Sequence, residues 1–293
     1  MANEWADLSN DFAVGVERAG RSVVAVHARP RFSSSGVIWR AGVIVTAQHT
    51  IRREEEITVT LPDGTNRPVT LAGVDQGMDL AVLKVAEPAG EAIAQLATGV
   101  KAGHLALAVG RSEDSGVNAS MGIISAVSGP WRTWRGGRLE QYIRLDLTMY
   151  PASSGGLVVD SAGAAIGVAT SGLSRLAGLA IPAASINRVL DEILSRGRVA
   201  RPYLGVGLQP VVLPDHQKGL IVLSTEAGGP AATAGILIGD ILTSVNGKSV
   251  SDTEDVQVAL ESSAAGQSIK AALLRGGAPR EIAVTVGERP RRD

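Results

Sequence analysis

At 293 residues the chain is longer than one ordinary domain and suits two, and with 45% apolar and 19% charged residues it can bury two cores and has no composition for disorder. Lys plus Arg (28) balances Asp plus Glu (29) with no basic cluster, and only four Trp, three Tyr and two Phe are present, which excludes a duplex-binding face and a single-strand stacking platform. The absence of cysteine excludes disulfides, thiolate metal sites and a cysteine nucleophile.

The chain opens Met1-Ala-Asn-Glu-Trp-Ala-Asp, without a basic region or an apolar core, so no signal peptide is expected. No apolar run reaches the ~18 residues of a membrane span. As written, the sequence reads as cytoplasmic, or as periplasmic if a leader has been removed. Residues 1–20 are predicted as a short helix, with Leu8, Phe12 and Val16 at four-residue spacing. Short runs rich in Val, Ile and Thr follow at 22–26, 36–39, 42–46, 57–61, 69–74, 80–85, 105–109, 122–127, 142–147, 157–159 and 165–170. Turn signals separate them, among them Pro62-Asp63-Gly64, Ser128-Gly129-Pro130 and Asp160-Ser161-Ala162-Gly163. Many short strands with few helices between them describe an antiparallel sandwich, or one or two barrels.

The first long helix is predicted late. Ser185 caps it, Ile186, Val189, Leu190, Ile193 and Leu194 form one face, and Gly197 ends it. The basic stretch 196–202 reads as a linker. Beyond it come strands at 204–208, 220–223, 241–245, 269–274 and 281–286, a short helix at 230–234, a turn at Asn246-Gly247 and a helix at 253–262. The predicted organisation is a helical segment over 1–20, a β domain over 21–198 and an αβ module over 199–293.

Three polar residues stand out against this background. His49 lies just past the apolar run Val43-Ile44-Val45-Thr46-Ala47. Asp79 opens the run Leu80-Ala81-Val82-Leu83, where a carboxylate is partly buried and needs a partner. Ser154 sits in Ser153-Ser154-Gly155-Gly156 before another apolar strand, and glycine there allows the tight turn that exposes a nucleophile beside backbone N–H groups. Their order is that of chymotrypsin-type enzymes, and the spacing puts His49 and Asp79 in one half of the strand array and Ser154 in the other. A site in the cleft between two barrels needs that division. His27, His104 and His216 have no carboxylate or second histidine at ligand spacing, and Glu54-Glu55-Glu56 has nothing nearby to complete an oxygen cage, so no metal or cofactor is expected. Gly205-Val206-Gly207 is no dinucleotide fingerprint, because no helix follows it.

The segments Thr46-Ala47-Gln48-His49, Asp79-Leu80-Ala81-Val82-Leu83-Lys84 and Ser154-Gly155-Gly156-Leu157-Val158-Val159 resemble the three catalytic blocks of the HtrA (Deg) family of serine proteases. Ser35-Gly36-Val37-Ile38, Gly122-Ile123-Ile124-Ser125 and Gly178-Leu179-Ala180-Ile181-Pro182 extend the resemblance. In the second module, Tyr203-Leu204-Gly205-Val206, Pro230-Ala231-Ala232-Thr233-Ala234-Gly235 and Gly239-Asp240-Ile241-Leu242 are similar to segments of the family's PDZ domain. The resemblance runs over about residues 20–287. It implies a trypsin-like double β-barrel followed by a PDZ domain, and an endopeptidase acting on unfolded or misfolded polypeptides by a His49–Asp79–Ser154 triad. The N–H groups of Ala152 and Ser154 would form the oxyanion hole, and the family usually assembles as trimers. Backbone N–H groups along Tyr203, Leu204, Gly205 and Val206 would take a peptide C-terminus.

The primary specificity pocket is expected around Leu147, Thr148 and Met149 and residues 171–179. Thr148 stands six positions before the nucleophile, where a trypsin carries an acid, so cleavage after small or medium aliphatic residues is expected. The chain departs from the family pattern in two places. Ala152-Ser153 stand where Gly-Asn is usual, which predicts a loop resting in an inactive shape or turning over slowly, because that glycine marks a conformation alanine resists. Leu157 replaces the usual proline, with no consequence expected. The runner-up reading is a catalytically silent, peptide-binding chaperone or scaffold of the same fold.

Overall fold

The strands expected from the β-branched runs close into two barrels. In a computed structural model describing residues 2–86, 90–93, 95–197, 199, 202–214, 216–261, 263 and 265–288, the chain divides into two compact units, Met1–Val199 and Ala200–Asp293. The first unit opens with helix α1 (Ala2–Gly20). Strands β1 (Val23–His27), β2 (Ser34–Arg40), β3 (Val43–Ala47), β4 (Ile57–Thr60), β5 (Asn66–Asp75) and β6 (Leu80–Val85) form a closed antiparallel barrel in the order β1-β2-β3-β6-β5-β4. The second barrel contains β7 (Leu105–Ser112) and β8 (Gly116–Ser128). A two-stranded hairpin, β9 (Trp131–Arg132) and β10 (Arg138–Leu139), interrupts it before β11 (Tyr142–Asp146), β12 (Leu157–Val159), β13 (Ala165–Thr170) and β14 (Gly178–Pro182). Its order is β11-β14-β13-β12-β7-β8.

Side chains alternate across a strand, and here both sides are buried. Val24, Val26, Ile38, Ile44, Val59 and Leu83 form a core within the first barrel. Their neighbours Val23, Val37, Val45 and Val82 join Leu107, Val109, Leu157 and Val168 of the second barrel in one larger cluster. Helix α2 (Ala183–Arg196) adds Ile186, Val189, Leu190 and Ile193 to that cluster. The barrels are therefore packed on each other, which explains why their strands read as continuous apolar runs. Arg111 on β7 ties down the end of α1, donating to the carbonyls of Gly20 at 2.9 Å and Val23 at 2.7 Å.

Several expectations are corrected. Ser185 does not cap α2; the helix starts after Pro182, and the buried Ser185 Oγ instead accepts the N–H of Glu140 at 2.8 Å. Gly197 does end it, in the left-handed conformation, donating to Ile193 O. The β9/β10 hairpin and β14 carry too few residues, or too little flanking signal, to be read as strands from sequence. The expected linker at 196–202 overlaps α2 at Arg196 and the strand Pro202–Tyr203, and residues 198, 200 and 201 lie outside the described residues.

The second unit has β15 (Pro202–Tyr203), β16 (Val206–Val212), β17 (Lys218–Thr225), α3 (Pro230–Ala234), β18 (Ile241–Val245), β19 (Lys248–Ser249), α4 (Thr253–Glu261), β20 (Ser268–Arg275), β21 (Ala278–Thr285) and β22 (Gly287–Glu288). The main sheet runs β16-β17-β18-β20-β21, with β19 on β18 and β15 paired to β22. Asn246 and Gly247 have φ of 48° and 76°, the two left-handed residues of a type I′ hairpin turn. Leu220, Val222, Leu242, Val256, Leu260 and Leu273 are among its core residues.

Candidate active site

His49 lies in a single 3-10 turn, Gln48–Thr50, directly after β3. Thr50 Oγ1 closes the turn on Ala47 O at 2.7 Å, and Gln48 N–H donates to Asp79 O at 2.9 Å. Asp79 ends the β5–β6 connection in a left-handed conformation (φ 57°) and is fully buried. A buried carboxylate must be satisfied, and Asp79 has three donors. His49 Nδ1–H lies 2.7 Å from Oδ2, the His49 N–H lies 2.8 Å from Oδ1, and Thr170 Oγ1 also donates to Oδ2. This arrangement puts the ring proton on Nδ1 and leaves Nε2 as the basic nitrogen.

Ser154 is contributed by the second barrel, in the turn between β11 and β12. Its Oγ pairs with Ser171 Oγ at 3.0 Å and accepts the Ser171 N–H at 3.4 Å. Ser171 follows Thr170, which bonds Asp79, and precedes Gly172, which lies against both His49 and Asp79. The end of β13 therefore brings Ser154 beside the His49–Asp79 pair. Among the described residues, Ser154 Oγ makes its hydrogen bonds with Ser171 and none with His49.

The turn that carries Ser154 is closed by Ser153, whose N–H donates to Tyr150 O at 2.8 Å and whose Oγ accepts the Tyr150 N–H at 3.1 Å. Gly155 has φ 88°, and a Cβ there would collide with Ser35 O and Thr46 Oγ1, so only glycine fits. Ala152 has no left-handed φ. The turn therefore stands without the left-handed conformation that a glycine would allow at this position. Leu157 is buried and pairs with Val109 and Val168, as an ordinary strand residue does. Of the expected pocket residues, Leu147 and Met149 pack on the core of the second barrel, Met149 against Gly178, and Thr148 is exposed.

Thr170 was not singled out from sequence, and Ser171 and Gly172 were expected only as the start of the pocket stretch 171–179, not against the His49–Asp79 pair. The only signal was their place at the end of an apolar run, and nothing in that run says what lies opposite. Ser35 belonged to a recognised segment but had no assigned role.

In the second unit, Tyr203, Leu204, Gly205 and Val206 lead from β15 into the edge strand β16, with Gly205 left-handed at φ 74°. The carbonyls of Leu204 and Gly205 are held by the N–H groups of Ala231 and Glu226, each at 2.8 Å. Asp240 is buried and accepts from Arg275 Nε and Nη2, both at 2.8 Å, and from the Leu237 N–H at 2.8 Å. The Arg275 hydrogen bonds hold its carboxyl below the usual range, with the Leu237 N–H adding to the effect against burial.

A family profile described as a trypsin-like peptidase domain matches residues 34–168, and one described as a PDZ domain matches 202–286. A solved structure of the HtrA-type protease AlgW with a tripeptide is 32% identical, with a TM-score of 0.76 over 96% of this chain and 98% of that one. The chain belongs to the HtrA/Deg family of serine proteases. A second solved structure, of the serine endoprotease from Yersinia pestis, is 30% identical with a TM-score of 0.79 over 94% of this chain and 97% of that chain. Among curated HtrA/Deg proteins, a probable periplasmic serine endoprotease DegP-like from Brucella suis is 34% identical over 281 residues, covering 90% of this chain and 54% of its own length. The periplasmic pH-dependent serine endoprotease DegQ of Escherichia coli is 30% identical over 270 residues, covering 86% and 58%. The chain thus spans about half the length of these two HtrA/Deg proteins. No described helix of this HtrA/Deg chain is long and apolar enough to cross a membrane.

Proposed function

We propose that the chain is a serine endopeptidase that cleaves unfolded or misfolded polypeptides. Ser154 attacks the peptide carbonyl, and His49 takes its proton through Nε2 and later gives it to the leaving amine. Asp79 holds the ring in that tautomer and stabilises the imidazolium. The N–H groups of Ala152 and Ser154 receive the oxyanion, each worth on the order of 3 kcal/mol. The observation that carries this reading is the 2.7 Å bond between His49 Nδ1 and the buried, three-donor Asp79, beside a serine on a tight glycine turn. Leu147, Thr148 and Met149 border the primary pocket, whose want of an acid favours small or medium aliphatic residues at the cut.

The second domain takes the free C-terminus of a peptide on the Tyr203–Val206 loop, and the peptide adds as a strand to the edge of β16. Domain limits of 21–198 and 199–293, assembly as a trimer and a periplasmic location complete the proposal, the last two by likeness to the family and to its periplasmic members. The test is labelling with a fluorophosphonate probe followed by peptide mapping. Labelling of Ser154 that disappears in Ser154→Ala and His49→Ala, together with loss of casein digestion, is expected. Digestion by Ser154→Ala at the wild-type rate would sink the assignment, and peptide binding without labelling would point to the silent scaffold.

A further inference from the structure

A serine hydroxyl has one proton to donate and two lone pairs, so its partners decide where the proton goes. Ser154 Oγ accepts the Ser171 N–H at 3.4 Å and lies 3.0 Å from Ser171 Oγ. It makes no hydrogen bond with His49 among the described residues, which leaves Ser171 Oγ as the acceptor of its proton. Were Ser171 the donor instead, the proton of the buried Ser154 hydroxyl would have no acceptor, and that is costly. Ser171 is exposed, so its own proton reaches solvent at no such cost.

The backbones that carry the two hydroxyls are fixed. The Gly155 N–H donates to Ala169 O and the Ala169 N–H to Gly156 O, both at 2.8 Å, so the nucleophile turn is paired to the end of β13. Ser171 directly follows β13, and its two neighbours are tied to the base. Thr170 Oγ1 donates to Asp79 and accepts the Gly172 N–H at 2.9 Å. What remains free is rotation of the Ser154 side chain about Cα–Cβ, among three staggered positions. Asp79 occupies His49 Nδ1, so the Ser154 proton must go to Nε2, and the hydroxyl must leave Ser171 to deliver it.

We infer that Ser171 is a positioning residue that parks the nucleophile: its hydroxyl competes with His49 Nε2 for the Ser154 proton, and this hydrogen bond breaks before attack. The role rests on the reading of Ser154 as nucleophile and His49 as its base. Removing the Ser171 hydroxyl leaves Ser154 Oγ with the Ser171 N–H as donor and His49 as the remaining acceptor.

The experiment compares wild type, Ser171→Ala and Ser171→Thr in the full chain. The readouts are the second-order rate of fluorophosphonate labelling at Ser154, kcat/KM on a quenched fluorescent peptide, and the melting temperature. A neutral hydrogen bond of this kind converts to about three- to tenfold in rate. Ser171→Ala is expected to raise labelling and kcat/KM together by that factor, and Ser171→Thr, which keeps a hydroxyl, to return toward wild type. The position is exposed, so the melting temperature is expected to stay within about 2 °C. In a Ser154→Ala background there is no nucleophile to turn, and there Ser171→Ala is expected to leave the dissociation constant of the same peptide within about twofold. A labelling rate that is unchanged or lower in a folded Ser171→Ala overturns the role. So does a change in peptide affinity in the Ser154→Ala background equal to the change in kcat/KM, which would make Ser171 a substrate contact. Folded wild type and Ser171→Ala that both fail to label and to turn over would instead remove the peptidase reading, and this role with it.

Discussion

Gly172 offers a sharp test of the site because it approaches the two groups that set the base. A Cβ built on its backbone would stand 2.5 Å from Asp79 Oδ2 and 2.6 Å from His49 Nδ1. Ordinary contact needs about 3.5 Å or more, so Gly172→Ala requires a shift of roughly 1 Å. Asp79 cannot yield, being fully buried and fixed by its donors. The imidazole is the freer partner, and it turns or the strand end moves. A misplacement of about 1 Å costs on the order of a hundredfold in rate. Gly172→Ala is therefore expected to lower kcat about a hundredfold while the chain remains folded, with a parallel fall in the rate of fluorophosphonate labelling. Steady-state hydrolysis of a quenched fluorescent peptide measures the first, and circular dichroism checks the fold. A folded Gly172→Ala with kcat within threefold of wild type would refute the crowding argument and the geometry behind it.

Two further outcomes follow from residues described above. Ala152 has no left-handed φ, and Ala152→Gly opens the left-handed conformation that alanine resists, so kcat is expected to rise about tenfold; an unchanged kcat would mean that the productive turn needs no left-handed residue 152. Asp240→Asn removes the buried carboxylate that the half-exposed Arg275 grips and is expected to cost about 1 kcal/mol, seen as a lower melting temperature of the second unit at pH 7. Because the carboxyl of Asp240 is held low, its contribution is fully present above the unfolded value near 3.9 and is lost as pH falls through the lower folded value. The gap between wild type and variant should then close below about pH 4, and a gap constant down to pH 3 would contradict the assignment of the shift to Arg275.

The elements were legible wherever a local pattern is strong. Val43–Ala47 and Leu80–Val85 are runs of β-branched and apolar residues that can only be buried strands, and Ile186, Val189, Leu190 and Ile193 keep one helical face. Asn246-Gly247 specifies its turn through left-handed φ values that few other pairs accept. His49, Asp79 and Ser154 were picked out only together, by their order and the segments that carry them, because each alone reads as an ordinary loop or strand-end residue. Pairing across the chain left no local trace. Ser185 has the residue type of a helix cap, yet its hydroxyl is taken by Glu140 from another element, because a buried acceptor serves whichever donor packing brings to it. Thr170 and Gly172 look like the plain end of a strand, and their importance comes from lying 91 and 93 residues beyond Asp79 in sequence but against it in space. Arg29 reaches Pro151 across 122 residues. Composition, strand and helix type and the order of the three polar residues were set by the sequence alone, since backbone preference and side-chain periodicity act over a few residues. Which hydroxyl satisfies Asp79, and which cation holds the Pro151 carbonyl, was decided only when two closed barrels packed on each other, because a hydrogen bond depends on distance and direction, and neither is encoded within a single strand.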